Sequence, residues 1–566
     1  MKKIYGFAAL AATLALGACS SEEPNVQPGN SSENLVPGGY LAVNVVAPTG
    51  TRAAVDGFEQ GTEAESAVSS AYFLLFDKDG EQLSMQSKAL DDNNLNQPGP
   101  SDTPHLSHVW NAVLVVGSEP ETEGAPATGV PAVTADKLLV VLNITEAQSE
   151  ALKNKSLSEV TAIVANYEAE MKADNSDDPK PLVMSNSAYK NLENQIVTAV
   201  PISGNISTTY EGAFESPVEV FVDRVTAKVV YADDADGFNI SGTDVTLQDG
   251  TASGTEGTLT PRIDGYYLAN KASESYLVKN IDNSWGNGFY DFANRRSYWA
   301  LMPAAAQAAP TDAEDSFFKN LSWKDHANKG TSTSGFFYTQ ENTSAYKTSF
   351  LIAATLMTTD ATGKEVPANI VKYAGQYYSY ANFQNQIAQN VANRGFRVTN
   401  TTSTGDNSQE TAKETIAANC FKMSNQEGNK SYKTYSVIDE EKLKETYGEN
   451  VKIVSADGAE SSITAINNYL KSDVNQYFYW NEGKCYYFLN IGDQLLAEGF
   501  KEGIVRNHIY SITLQSLKGL GTPVFDPDKV IIPEKWEDND QFFVAATVKA
   551  NSWKWVEQNL NLDFGK

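Results

Sequence analysis

The sequence predicts a mainly β protein made of β-sandwich domains with a few helical insertions. Short runs of alternating apolar and polar residues recur along the 566-residue chain, and such alternation is typical of strands that bury one face. Few stretches carry apolar residues at helical spacing. The length predicts two or more domains, and a hydrophobic content of 41% is enough for their cores. No repeat of fixed period indicates a solenoid or a propeller.

The N-terminus has the pattern of a bacterial lipoprotein signal. Lys2 and Lys3 form a positive region, residues 4–16 form an apolar stretch, and small residues precede Cys19. The apolar stretch is too short to span a membrane. We therefore interpret residues 1–18 as a signal peptide and expect acyl chains such as palmitate on Cys19, which would anchor the chain. The alternative is an ordinary signal peptide followed by an incidental cysteine.

The first predicted strand follows a polar, proline-containing tether at residues 20–36. Residues 40–46 alternate, and Leu41, Val43 and Val45 lie on one face, which predicts a half-buried strand. Further strands of this part of the chain are predicted at residues 71–76, 113–116, 138–144 and 218–222.

Helices are predicted at four places. Ser156-x-x-Glu159 forms a capping box. The apolar residues that follow it at helical spacing are Leu157, Val160, Val164, Tyr167 and Met171. A shorter helix is predicted to begin near Thr145, and two more are predicted near residues 381–391 and 461–470.

A second series of strands begins at residue 225. Its members are predicted at residues 225–231, 245–247, 298–302, 349–356, 486–491 and 510–514. Residues 303–315 and 400–416 are rich in polar or small side chains and predict loops.

The chain end has the clearest strand pattern. One run alternates at Phe542, Val544, Ala546 and Val548, and a second run places Val556, Gln558, Leu560, Leu562 and Phe564 on one face. An acidic loop with two prolines precedes these runs, so the terminal segment is a candidate for a strand that leaves its own domain.

Patterns of catalytic or metal sites are nearly absent. There is no nucleophile elbow, P-loop or dinucleotide fingerprint, and we predict neither an enzyme nor a cofactor. His105-x-x-His108 lacks further ligands, which disfavours a metal site. Asp77-x-Asp79-Gly80 begins like a calcium loop, but the ligand string stops and a hairpin turn is favoured. The aromatic run at residues 477–480 is interpreted as core rather than as a sugar-stacking surface.

Charge and cysteine content narrow the remaining classes. The net charge of −28 opposes binding to nucleic acid and to anionic membrane surfaces. Besides Cys19, the chain has Cys420 and Cys485. Outside the cytoplasm these two form either a disulfide or two buried free thiols, and the sequence leaves both open.

Three segments resemble the fimbrillins of Bacteroidales, the subunits of type V pili, and are most similar to the short- or minor-fimbria branch. The first is Thr51-Arg52-Ala53, which follows the lipobox and a short strand. The second, residues 222–229, is similar to the family's ERxxAKV strand, with Asp223 in place of Glu. The third, residues 505–512, is similar to the VxRNxxYxIxI strand. The segments lie in both halves, so the resemblance extends over essentially the whole chain.

The resemblance implies two transthyretin-like β-sandwich domains and proteolytic maturation. A trypsin-like, arginine-specific protease is expected to cut after Arg52, so that the mature chain begins at Ala53. The implied organisation is a propeptide with the lipidated cysteine and a removable strand at 19–52, an N-terminal domain at 53–224, a C-terminal domain at 225–540 and C-terminal donor strands at 541–566.

Assembly by donor-strand exchange is the mechanism that the resemblance implies. Removal of the propeptide would take out the strand of Leu41, Val43 and Val45 and leave a groove with unpaired backbone groups. A neighbouring subunit would fill this groove with its donor strand, through Val556, Leu560, Leu562 and Phe564. Head-to-tail donation does not close on itself, so it yields a filament.

The implied protein is a structural subunit of an adhesive cell-surface fimbria. Its expected partners are other copies of itself, accessory fimbrial subunits, the processing protease and, before processing, the outer membrane. The alternative is a fimbrial tip or anchor protein, or a glycan-binding surface lipoprotein, that keeps its lipid. The well-formed C-terminal strand favours a stalk role, and the lack of a clustered catalytic set disfavours a surface hydrolase.

Overall fold

The computed structural model confirms the mainly β class. It describes residues 36–48, 65, 67–88, 90, 107–118, 135–165, 167, 181–190, 195–207, 209–233, 238–241, 243–248, 255–281, 290–291, 296–297, 300, 302–303, 318–319, 322–327, 334–342, 347–404, 407–410, 412–425, 433–491, 503–528, 543–551 and 555–556. Predictions for Cys19, Arg52, Ala53, Leu560, Leu562 and Phe564 lie outside these ranges. In the described ranges, no helix has the length and apolar character needed to cross a membrane.

The first part of the chain forms a large sheet and three short helices. Its strands are β1 (Val36–Pro48), β2 (Ala71–Asp77), β3 (Gln82–Lys88), β4 (Ser107–Ser118), β5 (Ala135–Leu142), β6 (Val164–Ala165), β7 (Met184–Asn186), β8 (Tyr189–Lys190), β9 (Ile196–Val197), β10 (Val200–Pro201) and β11 (Val218–Arg224). Its helices are α1 (Glu146–Leu152), α2 (Leu157–Thr161) and α3 (Tyr210–Ala213).

The strands of this sheet enclose one core. The strand order is β3-β2-β5-β7-β11-β1-β4. The outermost strands β3 and β4 meet through Gln86, whose Nε2 donates to the Val115 carbonyl at 2.7 Å and whose Oε1 accepts from the Val115 amide at 3.3 Å. The enclosed side chains include Leu41, Val43, Val45, Phe73, Leu75, Trp110, Leu114, Leu138, Val140 and Val220. The opposite face of β2 and β5 packs against residues of α1 and α2.

The second part of the chain begins with a long series of mostly short strands. They are β12 (Ala227–Asp233), β13 (Asn239–Ser241), β14 (Asp244–Gln248), β15 (Thr255–Thr258), β16 (Thr260–Ala269), β17 (Lys271–Ala272), β18 (Ser275–Tyr276), β19 (Tyr290–Asp291), β20 (Arg296–Ser297), β21 (Phe318–Lys319), β22 (Ser334–Thr339), β23 (Ser349–Thr359) and β24 (Glu365–Pro367). Helix α4 is Trp323–Ala327.

The remaining elements include most of the longer helices. The strands are β25 (Ile370–Tyr373), β26 (Gln376–Ser379), β27 (Arg397–Thr404), β28 (Asn407–Glu410), β29 (Phe421–Ser424), β30 (Lys433–Ile438), β31 (Val451–Val454), β32 (Glu460–Ser461), β33 (Tyr477–Trp480), β34 (Lys484–Asn490), β35 (Ile509–Lys518), β36 (Thr522–Pro523), β37 (Phe543–Asn551) and β38 (Trp555–Val556). The helices are α5 (Tyr380–Asn393), α6 (Glu440–Tyr447) and α7 (Ile463–Leu470).

Two of the resulting sheets face each other. One has the order β22-β12-β35-β37-β38, and the other has the order β16-β23-β34-β36. Their shared core contains Val229, Tyr231, Leu268, Phe350, Ile352, Tyr487, Tyr510, Ile512 and Leu514. A third sheet, β15-β14-β26-β25-β33-β30-β29, carries helices α5, α6 and α7 over its own core, which includes Phe383, Ile387, Leu443 and Tyr477. These helices are the helical insertions that the sequence predicts.

Most predicted elements are confirmed, and two predictions are wrong. The capping box at Ser156 does start a helix, but α2 ends at Thr161. Val164 instead lies in β6, which pairs with β18, because tertiary pairing overrides the helical spacing. Residues 400–416 are not only loop, since β27 extends to Thr404 and pairs with β28 in a hairpin rich in β-branched threonine. The predicted strand at 298–302 falls mostly outside the described residues.

Candidate functional site: the groove of strand β1

Strand β1 is an interior strand that pairs on both edges. It runs antiparallel to β4 from Val36 opposite Ser118 to Pro48 opposite Ser107. Its second half runs parallel to β11, from Val43 opposite Val218 onwards. Loss of β1 would therefore leave unpaired backbone groups on both neighbouring strands, which form the walls of a groove.

The inward face of β1 fills the core of the first sheet. Leu41, Val43 and Val45 each have 0% of their surface exposed. They pack with core residues from the walls, such as Leu114 on β4 and Val220 on β11. Burial of such side chains contributes about 1.5–3 kcal/mol each. The predicted strand and its buried face are confirmed, whereas its displacement stays a prediction.

The end of this groove meets the segment that precedes α3. The amide of Tyr40 donates to the Ser207 carbonyl at 2.7 Å, and the Ser207 amide donates to the Tyr40 carbonyl at 2.9 Å. β11 does not pair with β1 at this level, so Ser207 takes its place as the second wall.

The two longer family-like segments meet where β11 ends and β12 begins. Asp223 accepts hydrogen bonds from the Nδ2 of Asn507 at 2.8 Å and from the Nζ of Lys279 at 2.7 Å. All three side chains are buried. Asp223 belongs to the segment 222–229 and Asn507 to the segment 505–512, so the pattern reflects a contact between distant parts of the chain.

Arg506 is a second buried charge at this junction. Its guanidinium donates to the Glu341 carboxylate through Nε at 2.9 Å and also through Nη2. It further donates to the carbonyl oxygens of Tyr276 at 2.7 Å and Leu277 at 3.3 Å. A bidentate pair with these additional bonds fixes the geometry strongly. We interpret the Arg-Asn pattern as a structural anchor.

Glu65 is a third buried charge there, and sequence reasoning missed it. Its carboxylate accepts from the Nζ of Lys228 at 2.7 Å and from the hydroxyl of Tyr338, and its carbonyl accepts from the Nε of Arg224 at 3.1 Å. Burial and the Glu65 carboxylate raise the pKa of Tyr338 above its ordinary value. The chain is thus held at this junction thirteen positions after Arg52. Acidic residues are common in this stretch, so no sequence signal distinguished Glu65.

The C-terminal strands pair within their own chain as far as they are described. β37 runs antiparallel to β35 from Phe543 opposite Lys518 to Asn551 opposite Ile509. β38 folds back on β37, with Val556 opposite Ala550. The predicted strand at 542–548 is confirmed from Phe543 onwards, and it pairs within its own chain.

Other predicted features are structural in the parts of the chain that are described. Asp77 accepts from the amides of Asp79 and Glu81, both at 2.9 Å, which confirms the hairpin turn between β2 and β3. These backbone bonds, the one from Glu81 first, lower the pKa of Asp77. The side chains of Tyr477, Tyr479 and Trp480 are buried, so the aromatic run is core.

The structure also describes the two cysteines and part of the candidate metal-binding patterns. Cys420 and Cys485 are free and buried, in separate cores. Burial raises the pKa of both thiols, that of Cys485 well above its ordinary value. The described residues hold no cluster of three or more metal-ligating side chains. His108 lies in β4, and His105 lies outside the described residues.

Comparison with known proteins identifies the C-terminal part of the chain. Residues 478–559 match the family described as "Major fimbrial subunit protein type IV, Fimbrillin, C-terminal". The match includes β34, β35 and β37 and the Arg506-Asn507 anchor. The resemblance to the fimbrillins that the sequence indicates is thereby confirmed. No curated protein matches the chain.

Several solved structures are similar over most of the chain. A protein from Parabacteroides distasonis described as a "putative cell adhesion protein" is 16% identical, with 91% of this chain and 97% of that chain covered and a TM-score of 0.37. A fimbrillin (fimA) from Porphyromonas gingivalis is 13% identical, with 92% and 99% covered and a TM-score of 0.35. The tip fimbrial protein Mfa3 from Porphyromonas gingivalis is 11% identical, with 90% and 99% covered and a TM-score of 0.26.

Proposed function

We propose, from the premise that the C-terminal part of this chain is fimbrillin-like, that the protein is a structural subunit of an adhesive cell-surface fimbria. Within this proposal it has two transthyretin-like sandwich domains, at 53–224 and 225–540, and it polymerises with copies of itself and with accessory subunits. The observation that supports it best is strand β1, which is interior and has Leu41, Val43 and Val45 fully buried, yet lies entirely before Arg52.

In this proposal, maturation cuts the covalent link between β1 and the rest of the chain. The precursor is an outer-membrane lipoprotein anchored through Cys19, and an arginine-specific protease cuts between Arg52 and Ala53. After the cut, non-covalent contacts hold β1 in place, among them its two backbone ladders, its bonds to Ser207 and its buried apolar side chains. The remainder of the chain stays attached at Glu65, which is bonded to Arg224 and Lys228.

A neighbouring subunit then supplies the replacement strand. Its donor strand carries Val556, Leu560, Leu562 and Phe564 on one face, which matches the period of two that the groove requires. Four such side chains contribute roughly 6–12 kcal/mol on burial before entropy is counted. Backbone hydrogen bonds along both walls add about 0.5–1.5 kcal/mol each. A junction of this strength dissociates very slowly.

Tail variants test the polymerisation step. Deletion of residues 555–566 is expected to abolish the polymer ladder on unboiled gels of the processed protein. The double variant Leu560→Asn with Leu562→Asn should act in the same way, because it places polar groups in the groove. Its matched control is Asn559→Ser with Asn561→Ser, on the opposite face of the same strand. Undiminished ladders from the deletion would refute strand exchange through this tail.

Processing is tested at Arg52. Arg52→Ala should leave a monomer whose N-terminus, read by mass spectrometry of surface protein, is the acylated Cys19. Arg262→Ala, at an exposed arginine, is the control and should still yield a chain that starts at Ala53. If the wild-type protein on cells keeps Cys19, the tip, anchor or glycan-binding lipoprotein role replaces the stalk role.

A further inference from the structure

The groove of β1 has a closed end formed by Ile206 and Ser207, here called the end wall. At this level β11 no longer pairs with β1, and Tyr40 bonds to Ser207 instead. The partly buried side chain of Ile206 packs against the core that β1 completes. The end wall therefore contacts both the backbone and the inward face of β1.

Gly39 is the residue of β1 that faces the end wall. A Cβ atom added at Gly39 would lie 2.7 Å from the Cγ2 of Ile206 and 3.0 Å from the Ser207 carbonyl oxygen. The first distance is far inside van der Waals contact. The Cγ2 atom is bonded directly to the β-carbon of a β-branched side chain, so it cannot swing away as the end of a long side chain can. Glycine is thus required for close approach, two residues before the first buried aliphatic side chain.

The end wall is braced by bonds that do not involve β1. The Nδ2 of Asn205 donates to the carbonyl and hydroxyl oxygens of Ser216, both at 3.1 Å. The Oγ of Ser207 accepts from the Thr209 amide at 3.2 Å, and the Oγ1 of Thr209 accepts from the Gly212 amide at 3.1 Å. These bonds do not involve β1, so the end wall does not depend on the strand whose register it fixes.

Backbone pairing alone does not fix the register of a strand in this groove. A slip of one residue turns the apolar face outward and is excluded by burial. A slip of two residues keeps the apolar face inward and keeps every backbone bond type. In the direction that brings Leu41 to the level of Gly39, such a slip drives a leucine side chain into Ile206. In the other direction it leaves a glycine in the pocket of Leu41.

We propose that the end wall is the register gauge of β1 before processing: it accepts glycine level with Ile206, which places the aliphatic side chains two, four and six residues later in the core. This inference rests on the proposed function and adds to it the residues that fix where the precursor's own strand lies before it is exchanged. The recognised pattern is Gly-x-aliphatic-x-aliphatic-x-aliphatic, which β1 supplies from Gly39 to Val45, whereas the donor strand has Gln558 two residues before Leu560 and does not contain this pattern.

The test is exchange of β1 for an added peptide. The full chain is cut after Arg52 and incubated with a fluorescent peptide of residues 36–48, and its incorporation is measured by gel filtration. The Gly39→Ala peptide should need about tenfold more peptide for half-maximal incorporation. The control peptide Asn44→Val, changed on the outward face, should incorporate like the native one. On the Ile206→Ala protein, the Gly39→Ala peptide should recover to within about threefold of the native peptide.

The outcomes of this experiment distinguish the register gauge from strand exchange itself. Equal incorporation of the native and Gly39→Ala peptides, or no recovery on Ile206→Ala, overturns the register gauge and leaves strand exchange standing. No incorporation of any peptide overturns the proposed function and the gauge with it.

The uncut chain provides a second measurement if Ile206→Ala folds poorly. Gly39→Ala alone should raise hydrogen exchange at the amides of Leu41 and Val43 about tenfold. An unchanged exchange rate there contradicts the gauge.

Discussion

Strands β1 and β35 occupy equivalent places in two different sheets. β1 lies between a parallel neighbour, β11, and an antiparallel neighbour, β4. β35 likewise lies between parallel β12 and antiparallel β37. Each strand directs three alternate apolar side chains into a core. Backbone pairing and apolar burial therefore do not distinguish them.

The difference lies in how each strand begins. The chain enters β35 through Arg506 and Asn507, which are bonded to buried carboxylates, and Tyr510 adds a hydroxyl that accepts from the Val505 amide at 2.8 Å. β1 begins with Val36-Pro37-Gly38-Gly39 and contributes aliphatic side chains. Separation of a buried ion pair costs several kcal/mol, whereas an apolar strand can be replaced by another apolar strand. In the proposed assembly, the permanent strand β35 thus has charged anchors at its start, whereas the exchanged strand β1 starts with glycine and aliphatic residues.

The largest expected effect comes from removal of the anchor of β35. Arg506→Ala leaves Glu341 buried without its partner, and we expect a loss of about 3–5 kcal/mol in the free energy of unfolding. Urea unfolding followed by tryptophan fluorescence measures this loss. Arg506→Lys should recover part of it, because it keeps the charge but not the bidentate geometry.

An exposed ion pair provides the control for the anchor. Lys452 bonds Glu460 at 3.2 Å on the surface, and Lys452→Ala should cost less than about 1 kcal/mol. A loss at Arg506 as small as the loss at Lys452 would mean that β35 is not anchored by charge.

The second effect concerns β1, the strand that we propose is exchanged. Leu41→Ala removes a fully buried side chain of β1 and should cost about 2–5 kcal/mol in the uncut chain. In the chain cut after Arg52 the same change should speed the loss of residues 36–48, measured by mass spectrometry after gel filtration. The partly exposed Leu83 of β3 is the control, and Leu83→Ala should change neither quantity much. Slow release from the Leu41 variant would contradict an exchangeable β1.

The buried face of β1 could be predicted from the sequence, because it depends only on the local alternation of apolar and polar residues. Alternation identified Leu41, Val43 and Val45 because a strand repeats every two residues and its own sequence records which face is buried. The motif resemblance pointed to Asp223 and Arg506-Asn507. Their partners Lys279 and Glu341 lie 56 and 165 positions away. Only the topology brings them together, so no local pattern contains them.

The wrong helix prediction after Thr161 has the same cause, since a contact between distant parts of the chain determines the structure there. Val164 and Tyr167 continue the helical spacing that begins at Ser156, yet the chain turns after Thr161 so that β6 pairs with β18. The close approach of Gly39 to Ile206 likewise cannot be predicted from a local pattern, because 167 positions separate the two residues.

A third prediction separates two contributions of Asn507. This residue has a φ of 58°, in the left-handed region, and bonds Asp223. Asn507→Gly loses the hydrogen bond but relieves the backbone, so it should cost about 1 kcal/mol. Asn507→Ala loses the bond and keeps the strain, so it should cost about 1–2 kcal/mol more. Equal losses in urea unfolding would show that backbone strain at the start of β35 is unimportant.

The smallest effect should come from the seam between β3 and β4 in the first sheet. Gln86 bridges β3 to β4, one wall of the β1 groove, through two bonds to the backbone of Val115. Gln86→Ala should cost about 1 kcal/mol, and more of it should appear after β1 has left, because β4 then keeps only the seam as a lateral contact. The exposed amide pair of Gln248 and Gln376, bonded at 3.2 Å, provides the control variant Gln376→Ala. Hydrogen exchange of the β4 amides, compared before and after removal of β1, measures the difference. If Gln86→Ala raises exchange equally in both states, the wall is held by its core contacts, and the groove stays preformed without the seam.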